Sequence, residues 1–165
     1  MMKNVFRLLG LCALIHLMAG CEQADDVKTI FGRTWKLTYI TLDGKHQMFD
    51  FWAGDEAAMR KSMEQLNKPG NYTLLLDGLT EGDDIRGNAS GSTVSPTTFS
   101  GTWSANGRTN AFKATVTGNR PDVLAVKFLE GLNAATSYEG DTQNLYLIYT
   151  AGQQTFRMCF KASNQ

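Results

Sequence analysis

The chain has 165 residues, with 16 Lys and Arg against 16 Asp and Glu, and 42% of its residues are hydrophobic. That length and composition fit one domain with a proper core, and the charge balance excludes the clustered basic footprint of a nucleic-acid binder. Three cysteines are too few for a multi-disulfide framework, and they form no cluster with the two histidines of the kind that transition-metal sites draw on.

Residues 1–20 have the layout of a secretory signal. Lys3 and Arg7 form its positive end, residues 8–17 are almost wholly apolar, and Ala19 and Gly20 are small. The apolar run is shorter than the roughly 20 residues that a membrane span needs. Leu17-Met18-Ala19-Gly20-Cys21 resembles the lipobox of bacterial lipoproteins, which implies cleavage before Cys21 and acylation of that cysteine. Residues 21–30 then read as a polar, acidic tether. Within it, Gln23, Ala24, Asp25 and Asp26 are similar to the signal that sends some Gram-negative lipoproteins to the outer face of the outer membrane. The expected address is therefore lipid-anchored at the cell surface, the periplasmic face being the alternative. Loss of residues 1–20 leaves fourteen basic against sixteen acidic residues, a net charge near −2. His46 becomes the one histidine, and Cys159 the one cysteine not carrying lipid.

Residues 31–163 read as one β-rich domain. Over 33–42, Trp35, Leu37 and Tyr39 alternate with Lys36 and Thr38, as in a half-buried strand. Asp43-Gly44 is a turn pair, followed by a less regular return strand over 46–51. One helix is predicted over 55–67. Asp55 caps it, Met59, Met63 and Leu66 share a face, and Lys68-Pro69-Gly70 ends it.

From residue 71 the reading is strand after strand. The first covers 72–76 and ends at Asp77-Gly78, and 85–94 follows. The pair 98–104 and 111–117 is joined through Asn106-Gly107, with Phe112, Ala114 and Val116 inward. Next come 123–129, a break at Glu130-Gly131, a short segment over 132–137, and strands 145–149 and 155–161. Short turns between consecutive strands argue for an antiparallel meander of eight or nine strands. Closing it into a small barrel with one flanking or plugging helix removes the exposed edges, a two-sheet sandwich being the alternative.

Gly32-Arg33-Thr34-Trp35 is similar to the G-x-W first-strand opening of lipocalin-like barrels. Phe128-Leu129-Glu130-Gly131-Leu132, Ser137-Tyr138-Glu139-Gly140-Asp141, Leu145-Tyr146-Leu147 and Phe156-Arg157-Met158 resemble the C-terminal pattern of the META domain. The run from Gly101 to Gly107 suits its central hairpin, although residues 85–91 lack the cysteine of its signature. The resemblance implies a small envelope β-barrel and carries no activity.

Catalytic chemistry finds little to work with. His46 lies in a polar turn with no G-x-S-x-G elbow in the chain. Glu81, Asp83 and Asp84, with Asp77 nearby, lack calcium-loop spacing, and no two carboxylates are singled out for glycan hydrolysis. Cys159 falls on the face of Arg157 and Lys161 as a half-buried, apolar thiol. The aromatics remain. Trp35, Tyr39, Tyr72, Trp103 and Tyr149 on inward faces, with Trp52 as a lip, are the candidate lining of a cup for a small apolar ligand. The expected function is a non-enzymatic envelope module that needs no metal or cofactor and binds such a ligand or an envelope protein. The alternatives are an accessory of an outer-membrane complex and a glycan-active hydrolase.

Overall fold

In a computed structural model that describes residues 30–163, ten elements follow one another. They are β1 (Thr34–Leu42), α1 (Glu56–Leu66), β2 (Thr73–Glu81), β3 (Asp84–Ser92), β4 (Thr98–Asn106), β5 (Ala111–Gly118), α2 (Val123–Ala134), β6 (Ser137–Gly140), β7 (Asn144–Ala151) and β8 (Gln154–Ala162). Each strand pairs antiparallel with the next, and β8 returns to β1, so the meander closes into a ring of eight. Closure gives every strand a neighbour on both sides, which an open sheet cannot do. The predicted signal over 1–20, Cys21, and Gln23 to Asp26 all lie outside the described residues.

Two seams of the ring are thin, and each is covered by a different device. β1 meets β2 only over Thr34, Trp35 and Lys36. Beyond that, the segment after Asp43-Gly44 folds back along β1. Phe49 N–H donates to Ile40 O at 2.8 Å, and Ile40 N–H donates to Met48 Sδ at 3.4 Å. β5 and β6 share the single pair Ala111 and Ser137, because the chain before β6 is helical. There the Asn133 side chain takes the place of a neighbouring strand. Its Oδ1 accepts from Val116 N–H at 2.8 Å, and its Nδ2 donates to Val116 O at 3.0 Å and Leu129 O at 2.9 Å.

Helix α2 corrects the strand expected over 123–129. Leu124, Ala125, Phe128, Leu129, Gly131 and Leu132 are all buried. A helix covered on most sides has no polar face to reveal its 3.6-residue period, so its apolar run reads equally well as a strand. Asp122 starts it, with its carboxylate accepting Ala125 N–H at 2.7 Å. Phe128 then makes ring contacts with Tyr72, Phe99 and Phe160 at 5.9, 5.7 and 6.2 Å, which joins the helix to the inward faces of the ring in one core. Backbone and side chains approach closely here. A Cβ at Gly131 would lie 2.7 Å from Met158 Sδ.

The expected helix is α1, capped by Asp55 as predicted, but it flanks the ring, and α2 is the plug. Only Ser62 and Leu66 of α1 are buried, while Met59 is 39% exposed. Its C-terminus is held by Lys36, whose Nζ donates to Leu66 O at 2.6 Å and Asn71 O at 2.5 Å.

The turn expected at Asp77-Gly78 is absent. β2 runs on to Glu81, and the chain reverses at Gly82 with φ +65. Gly78 instead pairs with Gly87, where a Cβ would sit 2.0 Å from Asp77 O. Small inward positions on β3, such as Ala89 and Gly91, sit among the large rings Phe99 and Trp103 of β4, which fills the interior of a narrow ring.

Candidate functional site

A β-bulge creates the most chemically varied surface. The β1–β8 register shifts between Leu37 and Tyr39, where β1 carries one extra residue. Trp35 and Leu37 stay in the core, but the phase then flips, so Ile40 is buried and Tyr39 turns to the outer wall. The inward placement expected for Tyr39 is thereby corrected. Tyr39 pairs with Cys159, and Cys159 with Tyr146, which makes an outward row across β1, β8 and β7. The Asp43-Gly44 turn adds Lys45 and His46, and together these residues border a cleft of about 400 Å³ with Arg157 at its side.

Arg157 is fully engaged. Its Nε and Nη2 each lie 3.1 Å from Asp43 Oδ1, its Nη1 donates to Glu139 Oε2 at 2.7 Å, and its guanidinium lies 5.4 Å from the Tyr146 ring centre. Two carboxylates and a ring thus fix a half-buried cation whose charge is spent within the protein.

Cys159 is only 4% exposed. Burial pushes its thiol up, against a hydrogen bond with Tyr39 and the charge of Arg157 that pull it down. Burial also raises the Tyr39 hydroxyl, with the adjacent thiol adding to the effect. A protonated thiol is a weak nucleophile. The fold brings His46 to the same cleft across more than a hundred residues of sequence, but no hydrogen bond links the two among the described residues.

The other expected lining residues belong to the packed core, and most of their polar tips are held by the protein. Trp35 Nε1 donates to Ile30 O at 2.7 Å, Trp103 Nε1 to Asp77 O at 2.9 Å, and Trp52 Nε1 to Ser62 Oγ at 3.2 Å. Tyr72 OH donates to Asp122 Oδ2 at 2.7 Å, and burial followed by that carboxylate raises its hydroxyl far above the ordinary value. Tyr149 stacks on Phe156 at 5.3 Å, and burial, with Glu130 nearby, pushes its hydroxyl up to about 12. In the acidic loop, Glu81 pairs with Arg86 at 3.2 Å, Asp83 with Arg108 at 3.6 Å, and Asp84 accepts from Asn106 Nδ2 at 2.7 Å. Arg157, Asp43 and Glu139 were not singled out by the sequence. The Asp43-Gly44 turn and the outward parity of Arg157 were visible, but nothing local connects them.

The family model described as "Domain of unknown function (DUF4847)" matches residues 22–162, and the chain belongs to that family. A solved structure of a DUF4847 family protein from Bacteroides vulgatus is 23% identical and superposes with a TM-score of 0.57. The match covers 83% of this chain and 96% of that one, which is a likeness of fold. No curated protein matches the chain.

Proposed function

We propose that this DUF4847 family member is a lipid-anchored envelope protein whose barrel is a non-enzymatic recognition module, carrying its binding surface on the outer wall at the end away from the membrane. The observation that carries the reading is the division of the barrel. Its inward faces and α2 form one core, while the varied polar surface lies outside, beside the far end of β1. The chain enters at the other end, where Gly32 N–H donates to Leu76 O. β1 has nine residues, so about 30 Å of strand separates an anchor at Cys21 and its tether from the turn at Asp43. Acyl chains on Cys21 would hold the proximal end at the bilayer, and the acidic run Gln23 to Asp26 would favour the outer face.

The cleft chemistry fits recognition better than catalysis. Its thiol is kept neutral and covered, and its guanidinium occupies the space between Asp43 and Glu139, where a glycan hydrolase would hold sugar and water. The strand runs that resemble those of lipocalin-like and META barrels support the envelope reading. Labelled palmitate and protease shaving of intact cells test the address, comparing wild type with Cys21→Ala. Label in the wild type alone, with its domain cleaved from outside, is the expected result. An unlabelled wild type would refute the anchor, and a labelled but protected domain would refute surface display.

A further inference from the structure

We propose that the outer-wall cleft beside Tyr39 binds a neutral oligosaccharide, with one pyranose ring stacked on Tyr39 and sugar hydroxyls donating to Asp43 and Glu139. This rests on the recognition reading and names the ligand class of that same surface.

The platform follows from the way Cys159 is covered. Its side chain points outward on β8, yet it is only 4% exposed. A short outward side chain is covered by longer ones on the adjoining strands, and its cross-strand neighbours are Tyr39 and Tyr146. Tyr39 contributes through its hydrogen bond with the thiol. A phenol that reaches sideways to the next strand lies along the wall, with one ring face to the protein and the other to the cleft. Tyr146 differs, because its ring already carries the Arg157 guanidinium at 5.4 Å. Tyr39 is thus the open platform, and an apolar ring face on a polar wall suits the C–H face of a sugar.

The acceptors are set by Arg157. Asp43 holds it through Oδ1 and Glu139 through Oε2, and among the described residues no hydrogen bond or ion pair engages the other oxygen of either carboxylate. Both side chains are 49% exposed, so those oxygens are reachable, while the shared guanidinium keeps them in place. Acceptors that are fixed beforehand take hydroxyl donors at little ordering cost.

Charge and length decide the class. Arg157 and Lys45 balance Asp43 and Glu139, so an anion meets two carboxylates and a cation meets two bases. A purely apolar ligand would cover the free carboxylate oxygens without pairing them. The row Tyr39, Cys159, Tyr146 and Glu139 crosses three strand spacings, about 14 Å, which is room for a chain of sugars rather than a single ring.

The test is calorimetric titration of the purified full chain with cellopentaose, mannopentaose and maltopentaose, against pentagalacturonate, which carries a carboxylate on every ring. Saturable binding of at least one neutral chain is expected, with amide shifts at Tyr39, Asp43 and Tyr146 and with pentagalacturonate about tenfold weaker or worse. Tyr39→Ala should weaken that binding by about tenfold or more, and Tyr39→Phe, which keeps the ring, by less than about twofold. Glu139→Gln should weaken it by about fivefold through loss of the charged acceptor. Urea midpoints of the variants close to that of the wild type keep lost recognition apart from lost folding. The proposal is overturned if none of the three neutral chains saturates, if pentagalacturonate binds as tightly, or if Tyr39→Ala or Glu139→Gln leaves the affinity unchanged. Equal losses in Tyr39→Phe and Tyr39→Ala would overturn the stacking. None of these results depends on where the protein resides, so the anchor stands or falls by labelling and shaving.

Discussion

Replacing Phe128 with alanine removes the ring that joins α2 to Tyr72, Phe99 and Phe160, at a site with no solvent exposure. Close packing on all sides leaves little room for relaxation, so the lost ring leaves a cavity and the cost is about 3–5 kcal/mol. With a urea dependence of about 2 kcal/mol per molar, the unfolding midpoint should fall by about 2 M. Two companion variants give the test its force. Leu129 is buried and should cost about 2–5 kcal/mol as alanine, whereas half-buried Val126 should cost about 1 kcal/mol or less. A strand over 123–129 would put Leu124, Val126 and Phe128 on one face and Leu129 on the other. A large loss in Val126→Ala together with a negligible one in Leu129→Ala would therefore refute the helical plug.

Asn133→Ala should cost about 1–3 kcal/mol by orphaning the Val116 backbone groups at the thin β5–β6 seam, and the Val116 amide should exchange faster with solvent. Cys159 should react slowly with thiol reagents in the native protein, and Tyr39→Ala should speed the reaction by about tenfold or more through removal of its cover; equal rates would show that Tyr39 does not shield it. Burial pushes the Lys36 ammonium down to about 8 from 10.5, so between those values the unfolded chain holds a proton the folded one has released, and stability rises with pH. Tyr149 acts in the opposite sense. Its hydroxyl is raised to about 12 from 10.0, so its contribution is complete below 10 and is lost as pH rises towards 12. Urea midpoints measured from pH 7 to 11 should peak near pH 10, where the rise from Lys36 gives way to the fall from Tyr149, and Lys36→Met should remove the rising limb.

Several parts of the fold were legible because their signals are local. α1 has caps and a stop within a few residues of its ends, and the alternation of Phe112, Ala114 and Val116 places β5 without help from the rest of the chain. The meander and its closure follow from short turns and the cost of free strand edges. The features that shape the surface had no such signal. The identity of α2 depends on being wrapped by the ring, which erases the polar face that marks a helix. The outward turn of Tyr39 depends on one extra residue at a bulge, and a single-residue slip inverts every later side chain.

The sequence by itself determined the strand-rich class, the balanced charge, and the scarcity of histidine and cysteine, because these reside in composition and in neighbours along the chain. Only the tertiary structure decided that α2 plugs the ring, that Arg157 is shared by Asp43 and Glu139, and that Tyr39 turns outward beside a buried Cys159. Burial and ion pairing are relations between residues that the chain keeps far apart, and they exist only once it has closed.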